Sequence, residues 1–308
     1  MIFNFFSAYG YSEAETGNNL FQFRSGFIKS SSPLPPIPRE INSRSFPFVF
    51  LQHLAILDLI NQQFIKAIDL DKTGILCGSV TSGIMQLALQ YKRFHSKGFN
   101  KISPLTVPLT IHNSASSVLA IAHKIKGISS GYHCMETSGI EALCDGLKLI
   151  KAQEIDHILI GVGEDLSNKN DLLKQVGGIF LLTKNRPSGV FFNFEIDCLI
   201  NRGKSWLSAS ENLFDLLNSY FEKDETDAKK RIKNEKWIYF NFQNQDKYDI
   251  KNYPVEMVEY PQFYPYLSMA PFLGISLGMQ MFAEFKLLTI SSEGHAVLLS
   301  FRKVEDLS

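Results

Sequence analysis

Three short apolar runs bounded by glycine constrain this chain more than any other feature. They are Thr73-Gly-Ile-Leu-Cys-Gly78, Asp156-His-Ile-Leu-Ile-Gly-Val-Gly163 and Gly177-Gly-Ile-Phe-Leu-Leu-Thr183. None alternates apolar with polar residues, so each is expected to be a strand covered on both faces. Helical spacing separates them. Phe50 to Ile68 carries Leu51, Leu54, Leu57 and Ile60. Ser114 to Lys126 turns Val118, Ala122 and Ile125 inward and is expected to end at Gly127, a C′ glycine. Ile140, Leu143, Leu147 and Ile150 share one face of a further helix. Buried strands alternating with helices indicate an α/β layered architecture.

The second half is less regular. Ser210 to Tyr220 reads as a helix burying Leu213, Phe214 and Leu217, and Glu222 to Lys236 as a solvated segment of mixed charge. Trp237 to Phe242 and Ala296 to Phe301 read as strands. Ala270 to Leu288 reads as a helix that tolerates Gly274 and Gly278 through close packing. Near the start, Pro33, Pro35, Pro36 and Pro38 make Ser30 to Arg39 an extended loop. There is no short-period repeat and no low-complexity tract.

Composition excludes several functions. Lys plus Arg and Asp plus Glu number 31 each in 308 residues, so no net field holds nucleic acid or an anionic membrane by bulk charge. Cys77, Cys134, Cys144 and Cys198 form no CxxC pair and no histidine cluster joins them, so no metal site or cofactor is expected. They read as buried free thiols of a reducing compartment. The first residues lack the basic start of a signal peptide, and no apolar run has membrane-spanning length. A soluble cytoplasmic protein is expected. Gly161 and Gly163 lack the Lys-Ser/Thr of a phosphate loop and read as a strand end beneath a close-packed helix.

Gly131-Tyr-His-Cys-Met-Glu-Thr-Ser-Gly139 has the shape of a nucleophile turn: an apolar approach, a tight bend, a Ser-Gly pair, then an amphipathic helix. Where such a turn holds a cysteine or serine, this one holds Glu136. Taken alone, Glu136 is a first-turn helix acid, favoured there by about 0.3–1 kcal/mol. Cys134 reads as a small buried hydrophobe. His112, His123, His133 and His157 read as core or surface histidines, and His295 as a residue at a strand start.

The order of these pieces resembles the β-ketoacyl synthases of the thiolase fold. Thr73 to Ser79 looks like their first glycine-bounded strand, and Asn113 to Gly127 like the helix before the active turn. Met135-Glu-Thr-Ser-Gly-Ile-Glu-Ala-Leu143 resembles Ala-Cys-Ala-Ser-Gly-Leu-x-Ala-Leu. Gly161-Val-Gly-Glu164 resembles Gly-Gly-x-Glu, and Gly177-Gly-Ile-Phe-Leu-Leu the next strand. Past residue 190 the likeness thins. Trp237 to Gln243 stands where the family has His-Gly-Thr-Gly-Thr. Tyr266 to Gly274 stands for Gly-His-x-x-x-Ala-Ala-Gly, and Ser292 to Leu299 for Gly-Phe-Gly-Gly-x-Asn-Ala.

The resemblance implies a thiolase-like α-β-α-β-α fold in one compact domain, with halves at 1–185 and a trimmed 186–308. On this alignment Glu136 replaces the cysteine, Asn241 the first histidine and Ser268 the second. Condensation needs a thiolate acyl carrier and two imidazoles that donate to the forming enolate. A carboxylate is a poor carrier, because its anhydride hydrolyses readily, and it repels a malonyl carboxylate. Asn241 and Ser268 donate hydrogen bonds but shuttle no protons near neutral pH. The expected protein is therefore a non-catalytic, chain-length-factor-like subunit. It would pair with an active ketosynthase served by an acyl carrier protein and shape the acyl tunnel. Polyene, aryl-polyene and related polyketide products are analogies at family level. The expected interface comprises Asn113 and Ile128, Ser129, Ser130, Gly131, Tyr132, His133 and Cys134. Two alternatives stand beside it: a hydrolase or decarboxylase using Glu136, and a homodimeric structural or regulatory protein.

Overall fold

The computed structural model describes residues 8–11, 38, 39, 41, 47–61, 69–81, 83–104, 108, 110–165, 175–183, 194–201, 236–242, 256–259, 264, 267–293 and 295–303. Ser210 to Tyr220, the charged segment before Lys236 and the proline run up to residue 37 lie outside them.

Two five-stranded sheets organise these residues. The first joins β1 (Ala8–Tyr11), β2 (Thr73–Gly78), β3 (Ser129–Tyr132), β4 (His157–Asp165) and β5 (Gln175–Thr183) in the order β1-β5-β4-β2-β3. The second joins β6 (Phe194–Asn201), β7 (Lys236–Asn241), β8 (Glu256–Glu259), β9 (Glu284–Ile290) and β10 (Ala296–Lys303) in the order β6-β10-β9-β7-β8. The second order is the first advanced by one sheet. The senses agree too: β2 is parallel to β3 and β4, as β7 is to β8 and β9, and the remaining pairs are antiparallel. The chain is thus a duplication that no short-period sequence repeat betrays.

The strands sort their side chains by period two. From β4, Ile158, Ile160 and Val162 enter one core while Leu159 enters another. The first core lies between the sheets. It is filled by α4 (Ser138–Lys151) and α5 (Ala270–Met281), the helices that follow the strands β3 and β8 of the two halves. Ile140, Leu143, Leu147 and Ile150 are buried in it, as their spacing predicts. The second core lies under α1 (Pro47–Asn61) and α3 (Ser114–His123) on the outer face of the first sheet. The described layers are therefore α-β-α-β. Gly161 and Gly163 lie under α1, where a Cβ on Gly163 would come 2.5 Å from Phe48 Cδ2.

Four sequence expectations are corrected. The helix expected to run from Ala270 to Leu288 stops at Met281, and Glu284–Ile290 is strand β9. Phe282 has extended backbone, and β9 is paired on both sides, with β7 and β10. Those ladders outweigh the helical tendency of Lys286, Leu287 and Leu288. Gly274 and Gly278 do pack closely: an added Cβ would lie 2.5 Å from Phe240 or Phe285 ring carbons. Second, α3 ends at Lys124, left-handed at φ 57, not at Gly127. Third, α3 buries Ala115, Leu119 and Ala120; Val118 and Ala122 are only partly buried, and Ile125 is buried just past its end. Fourth, Cys144 on α4 and Cys198 on β6 form a disulfide, Cα to Cα 6.1 Å, while Cys77 and Cys134 are free. Periodicity carries no information on a contact across 54 residues of chain.

Between α1 and α3, His53 Nδ1 and His123 Nε2 lie 2.9 Å apart. One must donate and the other accept, so the pair is stable only while not fully protonated. Burial and the His53 charge hold His123 down at about 4, and burial lowers His53. Burial, helped by His112, also holds His133 at about 4. These bases bind protons more readily unfolded than folded. Their stabilisation is present above the ordinary value of 6.5 and is lost as pH falls toward 4. Unfolding free energy is expected to drop by about 2 kcal/mol for each of His123 and His133 across that window. Urea titrations at neutral and mildly acidic pH check this, with His123→Gln reducing the drop.

Candidate functional site

The turn between β3 and α4 forms as its sequence suggests. β3 runs beside β2, Cys77 opposite Gly131 and Gly78 opposite Tyr132. Met135 then adopts φ 52, a conformation costing a non-glycine residue about 1 kcal/mol, and swings the chain into a turn of 3-10 helix, Met135–Thr137. Side chains tie the bend: Thr137 Oγ1 donates to Cys134 O at 2.6 Å, and the Cys134 N–H to Ser138 Oγ at 2.8 Å. Ser138 Oγ donates in turn to Met135 O. Gly78 lets β2 approach; a Cβ there would lie 2.5 Å from Gly139 N.

Glu136 is buried at the head of α4, 7% exposed. Its Oε2 accepts the backbone N–H and the hydroxyl of Ser292, both at 2.9 Å. Ser292 lies just past β9, in the opposite half. Asn241 ends β7 opposite Ile290, the last residue of β9, and its N–H donates to Tyr264 Oη at 2.9 Å. Glu136 and Asn241 therefore converge on the same end of β9.

Ser268 is fully buried at the head of α5, after Leu267 at φ 50. A left-handed backbone is what glycine supplies most readily, and Leu267 adopts it as a non-glycine residue. Ser268 Oγ donates to Glu164 Oε1, at the end of β4. Glu164, also fully buried, takes further hydrogen bonds from the Val80 and Thr81 N–H groups, each at 2.9 Å. Thr81 Oγ1 adds one at 2.7 Å and Ser79 Oγ one at 3.2 Å. Burial pushes the Glu164 carboxyl above its ordinary value, against the pull of these donors. The two helix heads thus make reciprocal ties: α4 to the strand end of the second sheet, α5 to that of the first. Gly139 and Phe272 hold the helices together, with 2.6 Å between an added Cβ and the ring.

The expected interface residues form one edge. β3 is the last strand of its sheet, and among the described residues no strand pairs with its outer side. Ser129, Ser130, Gly131, Tyr132, His133 and Cys134 are half-buried; Ile128 and Asn113 are exposed. His112 and Asn113 lie directly on Gly131, and the His112 and His133 rings are 4.3 Å apart. Among the described residues no group of His, Cys, Asp and Glu could hold a metal ion.

Sequence reasoning missed Ser292 as the partner of Glu136, and Ser79, Val80 and Thr81 as the cradle of Glu164. Ser292 and Glu164 each stood in a recognised motif. Which motif faces which is a matter of how the halves oppose, and no local signal carries that.

No protein-family model matches the chain. Its fold is nonetheless that of ketosynthases. The chain is similar to a type II polyketide acyl-carrier protein–ketosynthase complex, AntDE:AntF, at 13% identity and TM-score 0.67, with 87% of each chain covered. It is similar to a β-ketoacyl synthase from Burkholderia phymatum at 12% identity and TM-score 0.65, covering 89% of this chain and 87% of that one. It is also similar to the ketosynthase ApeO in complex with its chain length factor ApeC, from Xenorhabdus doucetiae. There the identity is 11% and the TM-score 0.60, with 89% and 86% covered.

Proposed function

We propose that this chain is a ketosynthase-like subunit that does not itself condense acyl chains. It pairs with an active β-ketoacyl synthase, in the manner of a chain length factor, and shapes the tunnel for chains delivered by an acyl carrier protein. The observation that carries this reading is the state of Glu136. A carboxylate stands at the head of the helix, buried, with two donors from Ser292 fixing one of its oxygens. A side chain so engaged neither carries an acyl group nor leaves a seat for a second carboxylate. The serine at the head of α5 is likewise committed, to Glu164, and neither it nor Asn241 is an imidazole.

The edge of β3, which carries no further strand among the described residues, supports pairing. A sheet edge invites a second strand, and here Ile121 and Ile128 stand exposed on and beside the neighbouring elements, at 66% and 44%. Asn113 and residues 128–134 are assigned to that contact. The likeness to complexes containing chain length factors or carrier proteins supports the choice of partners.

Co-expression with an intact ketosynthase, one retaining its cysteine and both histidines, tests the reading. A stable complex is expected, and purified alone the chain is expected to condense no malonyl and acyl groups presented on carrier protein. Ketosynthase activity of the isolated chain overturns the proposal, as does a monomer that ignores every such partner. Turnover by the isolated chain that disappears in Glu136→Gln would instead establish an enzyme of altered chemistry.

A further inference from the structure

From Lys72 to Met135 the chain contains no aspartate or glutamate, yet it holds seven lysines and arginines. In a protein without net charge, this is where positive charge collects. The same stretch carries nine of the ten large apolar side chains left exposed among the described residues. Both features concentrate on α2 (Ile84–Lys97) and the turn of 3-10 helix after it, Phe99–Lys101.

α2 has 14 residues, a length of about 21 Å. Among the described residues it packs chiefly on that following turn, and Gln90 is buried, its Oε1 accepting the Ser103 N–H at 3.1 Å. Ile84, Leu87, Tyr91 and Phe94 recur at helical spacing and so form one stripe. They are 58%, 57%, 63% and 43% exposed. The His95 ring lies 4.3 Å from Tyr91 and 5.3 Å from Phe94, widening the aromatic end of the stripe, and Phe99 continues it at 75% exposure. By the same spacing Lys92 and Arg93 fall off the stripe, with Leu89 exposed at 46% between them, and Lys97 borders it one turn beyond Phe94.

We infer that α2 is an interfacial helix that lays the protein on an anionic lipid surface. An apolar stripe with aromatic members, a cationic remainder and no acid is the division of a helix lying at the headgroup boundary. The rings and aliphatic chains enter the acyl edge, while lysine and arginine stems reach outward to lipid phosphates. An acid-free flank removes the repulsion that carboxylates would impose there. This inference rests on α2 and Phe99 alone; Ile121 and Ile128 belong to the β3 edge used in the pairing proposed above.

The test is sedimentation of the full chain with phosphatidylcholine vesicles, with and without phosphatidylglycerol. Binding is expected only with the anionic lipid, and it should weaken as salt is raised. The double variant Tyr91→Ser, Phe94→Ser should lower the bound fraction about tenfold. Lys92→Glu with Arg93→Glu should do likewise, and both should keep the wild-type circular dichroism because every altered side chain is exposed. The charge variant keeps the test decisive if the apolar one fails to fold. Absence of binding to anionic vesicles, equal binding to neutral ones, or binding untouched by either variant overturns the inference. So does a chain that ignores vesicles but loses a partner ketosynthase through Tyr91→Ser, Phe94→Ser, for then the stripe is a protein contact.

Discussion

Gly131→Ala is expected to cost about 3 kcal/mol or more of stability, enough to abolish any pairing through the β3 edge. A methyl group there would lie 1.9 Å from His112 O and 2.8 Å from Asn113 Cα. Both obstacles are backbone, so no rotamer change relieves them. Relief would require lifting residues 112 and 113 off the strand or pulling β3 away from β2, where Gly131 stands opposite Cys77. Gly98 supplies the control. It sits at φ +77 with nothing within 4 Å of an added Cβ. Gly98→Ala meets no overlap, only the cost of a backbone at φ 77 and ψ 174 that glycine alone adopts readily, about 1–3 kcal/mol. Guanidinium unfolding of the two variants separates overlap from backbone strain. A Gly131→Ala loss of less than about 1 kcal/mol would mean that the segment before α3 does not rest on β3.

Glu164→Leu is expected to be comparably damaging, at about 3–5 kcal/mol, because of what it leaves behind. Three hydroxyls, from Ser79, Thr81 and Ser268, and the N–H groups of Val80 and Thr81 all turn toward this carboxylate. Leucine satisfies none of them, and α5 loses its tie to the first sheet. Glu164→Gln keeps the shape but offers one acceptor oxygen in place of two, for an intermediate loss of about 2 kcal/mol. The pH dependence identifies the group. Its folded-state value is raised above the ordinary 4.5 by burial. The folded protein therefore binds the proton more readily than the unfolded chain. Its contribution is full below the ordinary value and declines as pH rises from there through the folded value. The buried histidines act in the opposite sense, losing stability as pH falls from 6.5 toward 4. Denaturation at several pH values should show the rising-pH component vanish in Glu164→Gln while the histidine component stays. A wild-type profile lacking the Glu164 component would contradict the buried, raised carboxyl.

The elements were legible where one physical demand acted alone. Thr73–Gly78 could only be a two-faced strand, and Ile140, Leu143, Leu147 and Ile150 could only share a buried helix face. The bend at Gly131 to Gly139 was equally plain, and with it the acid at its apex. Legibility failed where two demands competed. Lys286, Leu287 and Leu288 suit a helix, but β7 and β10 claim them on either side. Lys124 ends α3 in the left-handed conformation that Gly127 was expected to supply. The disulfide between Cys144 and Cys198 depends on where β6 runs over α4, which neither segment encodes by itself.

Bulk charge balance concealed a further feature. The neutral total hides an acid-free stretch of 64 residues, and only the exposure of α2 turns that stretch into a surface. The candidate site divides the same way. Residue order alone put a carboxylate at the head of a helix following an apolar strand, because turn shape and helix start are local. That Ser292 grips Glu136, that Ser268 reaches Glu164, and that the two halves repeat one topology were decided by packing. Two similar halves press their central helices together head to head, and each helix start then finds its partner on the opposite sheet. Contacts of that kind join residues more than a hundred positions apart, so they exist only once the halves have closed on each other.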